Sequence, residues 1–333
     1  MARHDMQWID GHLDLAYLAV NGRDLRIRCA DPQAGCVSLP DLREGGITTV
    51  FATICVLCVD EEPAKPATYR RGDSMAAHRA GIEQLDVYRR LEDDGLITMV
   101  RTAADLDRST DALKVVLLME GADPIRSPED VTWWHSKGLR AVGLTWATGT
   151  RYAGGNAVPG PLTPDGQELV WAMDEVGMIH DVSHLCDVAL DELLATASGP
   201  VIATHSNSRT VMGEDNQRHL RDSHIKAIAG RGGIIGLNLC GQFLAKDRRA
   251  DVADCVTHLK HISGIVGHRR GVALGSDLDG GFPPIHLPEG LDHPRKLEAL
   301  LGALADAGWS PDDLRSFAWG NWTQFLQETL PDA

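Results

Sequence analysis

A single (β/α)8 barrel of the TIM type is the fold this sequence predicts, and three observations predict it. Eight short apolar runs recur along the 333 residues. Stretches with helical periodicity and capping residues separate them, the pattern of a parallel sheet joined by crossover helices. Finally, no Gly-x-Gly-x-x-Gly follows the first run, as a doubly wound nucleotide-binding sheet would want. An open doubly wound sheet is the alternative topology. One domain over residues 1–333 is expected, because no repeat, low-complexity segment or linker divides the chain.

The strands are expected at residues 7–12, 48–54, 114–119, 141–144, 178–183, 201–204, 233–237 and 271–275. A long amphipathic helix fills 72–95 and closes at Gly95. Thr163 caps a helix with Pro164 at its first position, which runs to Gly177. Asp187 is expected to cap a helix over 188–197. Asp222 or Ser223 starts another that ends near Gly230, and Ser310-Pro311-Asp312-Asp313 opens the last, through Trp319 to Leu326. Trp171, Trp319 and Trp322 fall on apolar helix faces and read as core. Two long connections, 59–72 and the glycine-rich 145–162, have the length of lids or binding loops.

Bulk properties narrow the function. The net charge of −15, from 32 basic and 47 acidic residues, argues against a nucleic-acid partner, which needs a basic face. No apolar run reaches the roughly 18 residues of a membrane span, and a strand begins too early for a signal peptide. Seven cysteines at irregular spacings do not make a disulfide framework, so a reducing cytoplasm is expected. Cys55-Val56-Leu57-Cys58 has redox-motif spacing but sits at the end of an apolar run, and both cysteines read as structural. A homodimer is compatible with the sequence.

Active sites of such barrels lie where strands end. The first strand ends in His12-Leu13-Asp14, whose two polar side chains, two apart, share a face and project together from its end. The third runs into Glu120, the fifth into His184, the sixth into His205 and the eighth into Asp277. Three histidines and three carboxylates thus converge on one mouth. Six ligands exceed the four of a tetrahedral zinc and suit two divalent metals. Such a pair lowers the pKa of bound water from ~15.7 toward ~7 and supplies a nucleophile at neutral pH. Singly, each residue has an ordinary alternative as a polar cap or turn former; five segments agreeing is what gives the set weight.

These residues resemble the membrane (renal) dipeptidase family, peptidase family M19, among the amidohydrolase-like metal barrels. The matching stretches are Asp10-Gly11-His12-Leu13-Asp14, Leu42-Arg43-Glu44-Gly45-Gly46, Met119-Glu120-Gly121, Leu162-Thr163-Pro164-Asp165-Gly166, Asp181-Val182-Ser183-His184, Thr204-His205-Ser206-Asn207 and Gly275-Ser276-Asp277-Leu278-Asp279-Gly280. They occur in the family's order and cover nearly the whole chain. The resemblance implies a binuclear zinc site, with His12, Asp14 and Asp277 on one metal, His184 and His205 on the other, and Glu120 bridging. It further implies that Asp277 shuttles the proton between attacking hydroxide and leaving amine. Asp279 competes for that role, but its place in the Gly280-Gly281 turn favours a structural one.

Two positions depart from the family pattern: His219, which replaces the usual asparagine after the carboxylate-binding arginine, and Trp146. Arg218, in Arg218-His219-Leu220, is the closest match to the arginine that binds the substrate's free carboxylate, with Arg209 and Arg151 as alternatives. Trp146 stands where well-characterised members carry a histidine that holds the scissile carbonyl oxygen. Indole offers one N–H and no charge, and one lost oxyanion donor costs ~2.7–4 kcal/mol in the transition state. The expected activity is therefore a zinc dipeptidase acting on small dipeptides, D-residues included. The alternatives are an amidohydrolase for N-acyl amino acids, lactams or other small amides, and a non-catalytic, metal-bound ligand-binding barrel.

Overall fold

Eight parallel strands form where the apolar runs lie, in a computed structural model that describes residues 6–213 and 215–332. They are β1 Trp8–Leu13, β2 Ile47–Cys55, β3 Leu113–Glu120, β4 Leu139–Gly143, β5 Ile179–Asp181, β6 Val201–Ile202, β7 Ile235–Leu237 and β8 Val272–Leu274. Their order around the sheet is β7-β8-β1-β2-β3-β4-β5-β6. A parallel bridge between Ala203 and Ile235 closes β6 onto β7. Gly236 N–H donates to Ala203 O at 2.8 Å across that seam. The result is the predicted α/β barrel.

The two-residue period of a strand sorts the side chains. On β2, Val50, Ala52 and Ile54 pack outward in the large core layer, while Phe51 faces the lumen cluster. Thr53 and Cys55 follow Phe51 on that inward face. On β3, Val116 and Leu118 fill the lumen, and Glu120 continues their row to the strand end. β2 and β3 are aligned so that Cys55 and Glu120 are register partners.

The C-terminal helix Asn321–Thr329 plugs the other end of the barrel. The Trp322 ring lies 4.7 Å from that of Phe51, and its indole N–H donates to Leu274 O at 2.8 Å. Only glycine fits at position 11, because a Cβ there would fall 2.7 Å from the Trp322 ring and 2.8 Å from Thr204 O.

Several helices differ from the sequence reading. Cys186, not Asp187, caps the helix Asp187–Thr196, and the Asp187 carboxylate pairs instead with Arg209 at 2.7 Å. The last helix is broken into Pro311–Arg315, a π turn at Ser316–Gly320 and Asn321–Thr329. Trp322 is core, but Trp171 is 53% and Trp319 37% exposed. Trp171 follows Leu169 and Val170, whose side chains take the buried stripe, and so turns out of it. The connection after β2 carries a small parallel ribbon, Leu57–Val59 with Thr68–Arg70. The helix Val252–Val266, started by an Asp251–Asp254 capping box, was not anticipated. Among the described residues, no helix is long and apolar enough to cross a membrane.

Candidate metal centre

All six predicted ligands meet at the C-terminal mouth of the barrel, and five of them are almost fully buried. Two groups of three lie within 4.8 Å: His12–Asp14–Asp277 and Glu120–His184–His205. Simple alternation is not what joins His12 to Asp14. The pairing of β1 with β2 shifts register between Asp10 and Leu13, and Asp14 stands just past the strand as the cap of a short helix. Even so, His12 Nε2 lies 3.6 Å from Asp14 Oδ1 and 3.7 Å from Glu120 Oε1. His184 and Asp277 likewise come from beyond the ends of their strands. Asp277 has a left-handed backbone, φ 59°, a conformation that costs a non-glycine residue energy and recurs at functional sites. A Cβ at position 280 would strike Asp277 Oδ1 at 1.8 Å, so Gly280 makes room for that carboxylate.

Hydrogen bonds fix which nitrogen of each ring faces the centre. His184 Nδ1–H donates to Asn156 Oδ1 at 3.0 Å. The Thr204 hydroxyl donates to Asp181 Oδ2 at 2.7 Å, so it can only accept from His205 Nδ1–H, 2.9 Å away. Both Nε2 atoms therefore carry lone pairs, and they face each other at 3.1 Å. Glu120 Oε1 lies 3.0 Å from one and 3.4 Å from the other. That oxygen is buried and has no hydrogen-bond partner. Three lone-pair donors converging without a proton between them repel one another; a divalent cation resolves the repulsion. The donor set thus fits a metal.

The electrostatics agree. Burial alone would lower the His12 pKa, but Glu120, Asp14 and Asp277 override it and raise it to about 10. Burial, reinforced by the neighbouring carboxylates, pushes Glu120 and Asp277 up to about 7. His184 and His205 are pushed well below the usual imidazole range by burial, with the charges of Arg218 and His12 adding to it. Carboxylates that resist ionising, and a His12 ring that they drive to hold a proton, mark a site calling for a positive charge.

A second layer holds the ligands in place, and the sequence reading missed it. Asn238 Nδ2 donates to Asp277 Oδ2 at 2.9 Å. The Thr53 hydroxyl donates to Asp14 Oδ1. Asp181 lies within ligand distance of His12 and His205, yet its oxygens already accept from Ser183 and Thr204. Asp10 does the same for the turn before Asp277, accepting from Ser276 N at 2.7 Å and from its hydroxyl. Asp10 and Asp181 had a legible signal, since each precedes a ligand on its own strand. Asn156 had none. Asp279 is structural: it pairs with Arg23 at 3.0 Å and accepts from the Cys36 and Val37 amides. His180 bonds to Asp174 at 2.8 Å, away from the centre.

Of the three arginines, Arg209 is neutralised by Asp187 and Arg151 by Asp123. Arg218 is buried beside the centre. Its Nη1 donates to Ser183 O at 2.9 Å and Ser206 Oγ at 3.2 Å, and its Nη2 to His205 O at 2.7 Å. Nε has no partner. Of its five hydrogens, the Nε–H and one on Nη2 therefore remain. Trp146 is half-buried with its ring 6.0 Å from that of His184, and its N–H has no protein partner among the described residues.

The sequence matches the profile of Membrane dipeptidase (Peptidase family M19) over residues 2–330. A Klebsiella pneumoniae protein described as uncharacterized is 30% identical over 248 residues, 70% of this chain and 89% of its own. Dipeptidase 3 of Rattus norvegicus is 26% identical over 330 residues; these are 95% of this chain but only 64% of that longer protein. A metallopeptidase of Rhodobacter sphaeroides, solved with a phosphinate mimic of the dipeptide L-Ala-D-Ala, superimposes with a TM-score of 0.84. It is 25% identical, and the match covers 98% of this chain and 99% of that one. The chain belongs to the membrane dipeptidase family, peptidase family M19, and so to the metal-dependent peptidases.

Proposed function

We propose that the chain is a dipeptidase that uses two zinc ions to hydrolyse small dipeptides with a free C-terminal carboxylate, D-residues included. One observation carries this reading: the buried, unpartnered Glu120 Oε1 set among the Nε2 atoms of His12, His184 and His205. His12, Asp14 and Asp277 would serve one metal, His184 and His205 the other, and Glu120 both. When bound, the metals supply a nucleophile from water at neutral pH and polarise the scissile carbonyl.

The chain's own residues do the rest. Asp277, with Oδ2 held by Asn238, accepts the proton of the attacking water and returns it to the leaving amine. The unpartnered Nε–H and Nη2–H of Arg218 are suited to the substrate carboxylate. Trp146 walls the pocket beside His184. The L-Ala-D-Ala mimic held by the Rhodobacter sphaeroides relative supports the tolerance for a D-residue. All seven cysteines are free, which supports a reducing, cytoplasmic setting.

A dipeptide panel assayed with and without chelator tests the proposal, with C-terminally amidated dipeptides and N-acyl amino acids alongside. Chelator-sensitive turnover of free dipeptides, lost on amidation, is expected. Preference for N-acyl amino acids would move the substrate to another small amide. No metal-dependent turnover of any compound would leave a ligand-binding barrel.

A further inference from the structure

The mouth of the barrel holds one more metal-binding group than the family pattern requires. Cys55 ends β2 on its lumen face, in the row of Phe51 and Thr53, and is the register partner of Glu120. The residue is 3% exposed. Cys55 Sγ, an Asp14 oxygen and a Glu120 oxygen all lie within 4.8 Å of one another. His12 Nε2 is 3.6 Å from Asp14 and 3.7 Å from Glu120. A tetrahedron of metal–ligand bonds near 2.1 Å has edges of about 3.4 Å, close to these separations. Glu120 Oε1, buried and without a hydrogen-bond partner, lies at this place, 3.7 Å from His12 Nε2.

We propose that Cys55 binds metal as a thiolate and joins His12, Asp14 and Glu120 at the first of the two metal positions. The inference rests on the two-metal reading above and refines which groups hold the first ion. Coordination releases the thiol proton to solvent. The thiolate adds a fourth negative charge to those of Asp14, Glu120 and Asp277, which balances two divalent ions. A sulfur ligand also biases the position toward zinc, cobalt or cadmium and away from magnesium or manganese.

The test needs no catalysis. The full chain and Cys55→Ser are loaded with Co2+ and their near-ultraviolet absorption compared. X-ray absorption of the zinc-loaded wild type is recorded in parallel. A sulfur-to-cobalt charge-transfer band that disappears in Cys55→Ser is expected, with a zinc–sulfur distance of about 2.3 Å. Bound metal with no sulfur scatterer overturns the assignment, and so does a band that survives in Cys55→Ser. If Cys55→Ser does not fold, the wild-type X-ray absorption decides alone. A sulfur ligand in a chain without dipeptide turnover would remove the dipeptidase reading and leave this one standing; turnover without sulfur would do the reverse. A chain that binds no metal overturns both.

Discussion

Asn156 Oδ1 accepts a hydrogen bond from His184 Nδ1 at 3.0 Å, so a residue of the glycine-rich connection after β4 sets the tautomer of a ligand beyond β5. The loop is thereby part of the metal centre's support. Loss of such an outer partner commonly costs 10- to 100-fold in metal affinity or activity. Asn156→Ala should weaken metal binding by about that factor. Competition with a chromophoric chelator measures it, and an unchanged affinity would show that the ring is held by its packing alone.

Asp277→Asn keeps the shape of the side chain and the Asn238 contact region but cannot take a proton. Turnover should fall by roughly 10²–10⁴-fold. The amide oxygen can still face the metal, so zinc content, measured on the same sample, should fall far less than turnover. A parallel loss of metal would make Asp277 an indispensable ligand.

Trp146→His restores a group able to hold a developing oxyanion. Dipeptide kcat should rise, by as much as ~10²-fold if Trp146 marks a missing donor. A fall in kcat would instead make the indole a working wall of a different pocket.

His219 is buried beside Arg218 and Phe243, with both ring nitrogens unpartnered. Burial, with Arg218 adding to it, lowers its pKa from 6.5 to about 3. The unfolded chain therefore takes up this proton near pH 6.5 while the folded chain refuses it. The associated stability is complete above that pH and is lost as pH falls toward 3, at about 1.4 kcal/mol per unit. His219→Phe removes the loss. Between pH 7.5 and 5, denaturant unfolding should show the variant gaining about 2 kcal/mol on the wild type. A difference independent of pH would refute the assignment.

Gly11→Ala should destabilise the fold by about 1–3 kcal/mol, because the new methyl meets both the Trp322 ring and Thr204 O. A chemical denaturation midpoint equal to that of the wild type would show that the helix carrying Trp322 yields freely.

The sequence exposes the barrel and its ligands for a common reason. Strands buried on both faces read as unbroken apolar runs, such as Val115 to Met119, and a polar residue that ends one, such as Glu120, is conspicuous. The same continuity hides direction. Nothing in the run from Ile47 to Cys55 says that Cys55 rather than Ile54 faces the lumen, and so Cys55 reads as an ordinary core cysteine. Asn156 and Asn238 reach the centre only through the folding of their loops, which no local spacing reports. Trp171 and Trp319 mislead because a bulky apolar residue beside the buried stripe of a helix looks like part of it.

Because β1 pairs with β8, the centre draws its parts from both ends of the chain: His12 and Asp14 from the beginning, Asp277 from close to the finish. During synthesis the first two ligands leave the ribosome long before the last strand exists to hold them. A nascent or truncated chain can thus offer metal scattered donors but no enclosed cage. The donors come together only once the eighth strand is made and has paired with the first.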